Sequence, residues 1–177
     1  MRLEETFFRR DVLEVAPALV GAVICRRLPD GTVLRGRIAE TEAYRGREDL
    51  ACHARHGRTA RNEMLFRPGG YSYVYLVYGL HWLFNVVTGA ENQPQGVLIR
   101  ALQKPLDGPA KWTRAFQLTG AHNGLYLPAS DEIWLEAGER PAALDALPRV
   151  GIGYAPEPWK SMPWRFVARD GKTVVNK

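Results

Sequence analysis

The sequence has few cysteines, few lysines and no long apolar run. Cys25 and Cys52 are the only cysteines among 177 residues and they form no Cys-x-x-Cys pair, so we expect no disulfide framework and a reducing compartment. No apolar run approaches the roughly 18 residues of a membrane span. Charged residues occupy the N-terminal stretch where a secretory signal needs apolar ones. We therefore expect a cytoplasmic chain that does not bind a membrane.

The scarcity of lysine leaves the basic charge to arginine. Of the 24 basic residues, five are lysine and 19 are arginine, and the formal net charge is +5. Arginine binds phosphate in a planar fork and stacks on rings, so an arginine-rich basic surface suits nucleic acid. A GC-rich genome would produce the same bias. Four arginines crowd into one loop-like segment: Arg55, Arg58, Arg61 and Arg67.

The chain length predicts one domain over residues 1–177. Turn signals and apolar alternation predict helices at 11–21 and 108–118, hairpins at 22–44 and 71–87, a loop-rich segment at 45–70, and strands at 96–102, 132–137, 149–155 and 163–168. Strands dominate, and hairpins imply an antiparallel or mixed sheet. We therefore expect an α+β fold in which helices pack outside the sheet and the second hairpin protrudes.

The second predicted hairpin carries an unusual tip. Its two aromatic strands meet at Tyr78–Gly79, where Gly79 supplies the positive φ that a tight reversal needs. A large ring at such a tip faces water unless something binds it.

Two glutamates lie on the second strand of the first predicted hairpin. Strand alternation places five residues on one face: Leu34, Ile38, Glu40, Glu42 and Tyr44. Two acids thus follow two apolar residues onto the expected core side, where an acid is costly to bury. Catalysis is one reason for such a placement. A strand end that emerges into solvent, or a bulge that reverses the faces, are the structural alternatives.

Two enzyme classes that such residues suggest are disfavoured. Acids two apart on a strand lie about 6.5–7 Å apart at Cα, as in inverting glycosidases, but they would approach a substrate from the same side. Asp49, Cys52, His53 and His56 could suggest a metal site. Their spacing matches neither HExxH nor a zinc-finger pattern, so we expect no metal and no other cofactor.

Five blocks then follow one another along the chain: RGRIAETEAYRGREDLACHARHGRTARN, RPGGYSYVYLVYGLHWLFNVV, GVLIRAL, GPAKW and RVGIGYA. In this order they resemble the blocks of the alkyladenine (3-methyladenine) DNA glycosylase family. The similarity extends from about residue 20 to 167. The E-T-E-A-Y and Y-V-Y-x-x-Y-G blocks are long and unusual, which makes the resemblance specific. Leu80 departs from it, because a methionine is common there.

The resemblance implies catalytic roles for three residues. Glu42 matches the general base that activates water for attack on the sugar C1′. Arg100 and the carbonyl of Val150 match groups that help to hold this water. Glu40 is expected to support the fold or the surroundings of the site rather than the chemistry.

The resemblance also implies how DNA is bound. Tyr44, His53 and Tyr75 match the rings that sandwich a flipped base, and the backbone N–H of His53 would bond the base edge. Asn85 matches an amide that disfavours the exocyclic amine of guanine. Tyr78 matches the intercalating residue, which would explain its place at the hairpin tip. For phosphate contacts we expect three basic residues: Arg58, Arg61 and Lys111.

The function that follows is a monofunctional glycosylase. We expect a monomer, without an obligate protein partner, that excises alkylated or deaminated purines from double-stranded DNA. No lysine stands where an imine-forming nucleophile is expected, so a lyase step is not predicted. Two other classes stay open: a lesion-binding module without catalysis, which has no need of an acid in the pocket, and a metal-dependent nucleic-acid hydrolase.

Overall fold

The structure is a computed structural model that describes residues 1–169. Its helices are α1 (Glu5–Phe8), α2 (Val12–Leu19) and α3 (Pro109–Ala115), and its strands are β1 (Val23–Arg27), β2 (Val33–Arg45), β3 (Ser72–Val77), β4 (His81–Val87), β5 (Gln95–Leu102), β6 (Ile133–Glu136), β7 (Ala143–Leu147) and β8 (Arg165–Arg169). None of these helices has the length and apolar character to cross a membrane.

The strands form one sheet in which the described pairings are antiparallel. Its order is β3-β4-β5-β2-β1-β6, and β8 pairs with both β2 and β7. Strand β2 lies at the centre because its 13 residues pair with β1 along the first half and with β5 and β8 along the second. The predicted α+β class is confirmed.

Helix α2 covers one face of the sheet. It begins where the Asp11 side chain accepts a hydrogen bond from the Leu13 N–H (2.9 Å), which satisfies a donor at the open helix end. Its buried side chains join a core with residues of the sheet and of α3, among them Ile24, Phe84 and Trp112. The predicted helix is therefore present. The antiparallel pairing of β1 with β2 and of β3 with β4 forms the two predicted hairpins.

The predicted strand at 149–155 is wrong. Gly151 there has φ +77°, and the segment pairs with no strand among the described residues. Arg149 and Val150 instead make isolated hydrogen bonds to Asp49 in the loop after β2 and to Ala43 and Glu42 on β2. Helix α1 and strand β7 were not predicted. The expected helix at 108–118 ends early, at Ala115, because Gln117 adopts a left-handed φ of +55°.

Candidate functional site

A bulge in β2 decides which way its acidic residues face. The register with β5 shifts on both sides of Glu40. Beyond this bulge, Thr41 turns to the core, where its hydroxyl donates to the Ala16 carbonyl (2.8 Å). Glu42 consequently lies on the face opposite to Ile38. Strict alternation, which put both side chains on one face, is wrong here, and the alternative of a bulge that reverses the faces is confirmed. The bulge is the device that turns the acid out of the apolar core.

The Glu42 carboxylate is fully buried and held from three sides. Oε1 accepts from the Val150 N–H (2.7 Å) and lies 3.6 Å from Arg100 Nε, while Oε2 accepts from the Tyr44 hydroxyl (2.9 Å). Burial raises the pKa of Glu42, and the Arg100 charge and the Val150 N–H oppose this rise. Such a carboxylate is fixed in position and made more basic, as a general base requires.

Glu40 lies beside this arrangement. It accepts from Arg165 Nη1 (2.9 Å) and lies 3.3 Å from Arg100 Nε, so Arg100 bridges both glutamates. Glu40 does not line the cavity described next. Its position agrees with a supporting role.

Glu42 lies at the wall of a cavity of about 370 Å³, which we call the aromatic cavity. Its lining includes the rings of Tyr44, His53, Tyr73 and Tyr75. His53 and Tyr75 meet edge to face, with ring centroids 4.6 Å apart. The three residues predicted to sandwich the flipped nucleobase thus lie in the same cavity as Glu42, the predicted general base.

His53 is positioned by its neighbours. Its Nδ1 lies 2.9 Å from the Tyr73 hydroxyl, and its carbonyl accepts from Asn62 Nδ2 (3.0 Å). Burial, aided by the charges of Arg61 and Arg55, lowers the pKa of His53 to about 4. The imidazole is therefore neutral at neutral pH. The sequence did not indicate this contact with Tyr73, which is itself buried in the core.

Asn85 lies in the cavity wall on β4. Its Nδ2 donates to the Tyr73 carbonyl across the hairpin (3.0 Å), which leaves it nearly fully buried. The amide is therefore fixed in the cavity wall, paired with Leu98 of β5, and Arg100 of β5 lines the same cavity.

The tip of the β3–β4 hairpin is exposed and strained. Tyr78 is 90% exposed and Leu80 74%. Both Tyr78 (φ +53°) and Gly79 (φ +67°) adopt left-handed backbone, and the Leu80 N–H closes the turn onto the Val77 carbonyl (3.1 Å). The predicted positive φ at Gly79 is present, but a bulky residue with positive φ beside it is an outlier.

The predicted phosphate-binding residues are dispersed. Arg61 lines the aromatic cavity, where it donates to the Leu76 carbonyl (3.2 Å) and lies over the Tyr75 ring. Arg58 lies over Phe66 and pairs with Glu63. Lys111 is on α3, paired with Asp107 (2.8 Å), and is not part of the cavity lining.

Two features of the site were missed. Arg149 and Asp49 form a fully buried ion pair beside Val150. Tyr154, 61% exposed, stands at the cavity with its hydroxyl donating to the Ala51 carbonyl (3.0 Å). Alternation could not reveal either, because these residues lie outside the strands and helices. Among residues 1–169, no three histidine, cysteine or acidic side chains converge in a way that could hold a metal ion.

Comparison with known proteins identifies the family of the chain. The family model described as Methylpurine-DNA glycosylase (MPG) matches residues 6–107 and 103–172. Curated relatives carry the name "Putative 3-methyladenine DNA glycosylase". The one from Clostridium botulinum is 38% identical over all of both chains, and the one from Nitrosococcus oceani is 44% identical over 97% of this chain and 92% of its own. The chain therefore belongs to the methylpurine-DNA glycosylase family of DNA-repair hydrolases, as its motifs predicted.

Proposed function

We propose that this DNA glycosylase flips alkylated or deaminated purines out of duplex DNA into the aromatic cavity. There the Glu42 carboxylate activates a water that hydrolyses the N-glycosidic bond. The observation that carries this proposal is one fully buried carboxylate, fixed by two hydrogen-bond donors and the charge of Arg100, in the wall of a cavity whose lining includes six aromatic rings. The substrates in view are 3-methyladenine, 7-methylguanine, hypoxanthine and ethenoadenine. We propose that the chain acts as a monomer, in the cytoplasm.

The proposed chemistry uses the environment of Glu42. A general base works best when its pKa approaches the working pH, and burial moves the pKa of Glu42 upward. Arg100, 3.6 Å from the carboxylate, is placed to hold the water with it. The Val150 N–H is committed to Glu42 (2.7 Å), which leaves its carbonyl for the water.

The cavity suits a damaged purine. Its volume of about 370 Å³ falls within the usual range of ligand pockets. Aromatic faces attract the positive charge of bases such as 3-methyladenine, and this charge also makes the base a good leaving group. A neutral His53 adds no repulsion to that charge. Within the described residues the cavity lining includes no lysine, so a hydrolytic step without imine formation is proposed.

Tyr78 is proposed to fill the gap that the flipped nucleotide leaves in the base stack. An exposed bulky residue with positive φ costs stability, and such strain persists where function needs it. An inserted side chain keeps the bent duplex open from the minor groove.

The test is a panel of defined duplexes, each with one lesion, scored for release of free base. Release from alkylated or deaminated purines in excess EDTA, with no release from the undamaged duplex, is the expected result. Tight lesion binding without release would favour the lesion-binding module. Release that EDTA abolishes would favour the metal-dependent hydrolase.

A further inference from the structure

Arg149 and Asp49 form the most deeply buried ion pair of the site. Arg149 Nη1 donates to Asp49 Oδ2 (2.6 Å) and Nη2 to Asp49 Oδ1 (2.9 Å), and both side chains are fully inaccessible to solvent. Asp49 also accepts from the backbone N–H groups of Arg45 and Ala51 (both 3.0 Å). The pair is thus built into the loop that follows β2 and leads to His53.

The same guanidinium contacts the other walls of the site. Its Nη1 donates to the Ala43 carbonyl (2.9 Å), between Glu42 and Tyr44 on β2. Its carbon lies 4.7 Å from the centre of the Tyr44 ring and 5.1 Å from that of Trp164. One side chain therefore connects β2, the loop that carries His53 and the segment before β8.

Stability is a weak reason for this arrangement. A buried ion pair costs so much desolvation that apolar residues of similar volume often stabilise a fold equally well or better. What the pair does provide is a fixed position for the backbone next to it. Arg149 immediately precedes Val150, which is partly exposed and belongs to no strand. The Val150 N–H nevertheless lies 2.7 Å from the Glu42 carboxylate.

We propose that Arg149, locked by Asp49, is a positioning residue that holds the Val150 N–H against Glu42 and fixes the Tyr44 ring beside the reacting nucleotide. This role rests on the proposed function of Glu42 as the general base. It predicts that loosening the pair weakens the ionised form of Glu42, because a donor that favours the carboxylate is lost.

Several charged and titratable groups around Glu42 affect its pKa, so the variant must leave their charges unchanged. From its own strand Tyr44 and Glu40 face it. From other elements come Arg100 on β5, Tyr75 on β3 and the charge of Arg149 itself. Arg149→Lys retains the positive charge but not the fork that binds Asp49 and Ala43 together. A change in this variant therefore reports the lost positioning and not a lost charge.

The experiment measures single-turnover release of 7-methylguanine against pH for wild type, Arg149→Lys and Asp49→Asn. 7-Methylguanine carries a fixed positive charge and needs no protonation to leave. The change in rate at acid pH therefore reports protonation of the enzyme and not of the lesion. Arg149→Lys should have an acid limb, the falling rate on the acidic side of the profile, that lies at higher pH than in wild type. In Asp49→Asn the unpaired charge of Arg149 opposes this shift, so its limb should move less. The rate on this limb should fall roughly tenfold or more, as for one lost hydrogen bond to a charged group, and should recover towards wild type at alkaline pH.

Arg26→Lys is the matched control. Arg26 is also buried and ion-paired, 3.0 Å from Glu132, but lies on β1 away from the cavity. Its acid limb should stay in place. Thermal melting of all variants shows that they are folded during the assay.

Equal loss at every pH with an unmoved limb would overturn the proposal, as would a failure of both variants to fold, because either result makes the pair merely structural. Glu42→Gln separates this from the proposed function. If Glu42→Gln is inactive while the acid limb of Arg149→Lys stays in place, the positioning role of Arg149 is refuted and the general-base role of Glu42 stands. If Glu42→Gln retains the wild-type rate, the general-base assignment fails first.

Discussion

Replacing Tyr78 by glycine should separate stability from function. The ring is 90% exposed, so its loss removes little packing. Its φ of +53° costs an L-residue about 1–2 kcal/mol, which glycine avoids, while the added backbone freedom of glycine costs about 0.5–1 kcal/mol. The free energy of unfolding should therefore stay the same or rise by up to about 1.5 kcal/mol. For a chain of this size, that raises Tm by at most about 6 °C.

Function should change in the opposite direction. One lost base-stacking contact is worth about 1–3 kcal/mol, so affinity for a lesion duplex should fall roughly 5- to 150-fold. The loss should be smaller on single-stranded lesion DNA, where less stacking has to be undone. Tyr78→Phe retains the ring and should bind like wild type. Fluorescence of a base analogue beside the lesion measures flipping, and thermal melting measures stability. A Tyr78→Gly protein that melts several degrees lower, or that flips a duplex lesion as well as wild type, would refute the reasoning.

Two further predictions follow from the charged and titratable groups. Arg58→Ala should weaken binding to damaged and undamaged duplexes equally and should reduce the salt slope of log K by about one; a changed lesion preference at constant slope would contradict this. Arg61→Ala should also change lesion preference, because Arg61 lines the aromatic cavity and lies over the Tyr75 ring. His53 should show no NMR titration above about pH 5, because burial lowers its pKa to about 4 from the ordinary 6.5. Since protonation opposes the folded state, the free energy of unfolding should fall as pH drops from 6.5 towards 4. An inflection near 6.5 that His53→Asn removes would contradict it.

The elements with strong local signals could be predicted from the sequence. Asp11 before an apolar periodic run marks the cap of α2, and alternating apolar residues around a tight turn mark both hairpins. The strand at 149–155 was wrong because its apolar residues, Ile152 and Ala155, are buried beneath a turn and not in a sheet. Local alternation does not distinguish these two situations.

The site could be predicted in its membership but not in its geometry. The family motifs predicted that Glu42, Tyr44 and His53 belong to one site. Period-two alternation, however, placed Glu42 with Ile38, since a bulge of one residue leaves no mark in the apolar pattern. The Arg149–Asp49 pair joins residues 100 apart in sequence, and such a contact depends on the tertiary fold alone.

The most direct test of the central claim is single-turnover release of base by Glu42→Gln. Glutamine retains the shape of the side chain but cannot take a proton, and a positioned general base contributes about 10²–10⁴-fold. The account predicts a fall in excision of at least that size, with affinity for the lesion duplex nearly unchanged. Glu40→Gln, outside the cavity lining, should lose much less. Excision by Glu42→Gln at a near wild-type rate would contradict the account, and equal losses at both positions would favour a two-carboxylate mechanism.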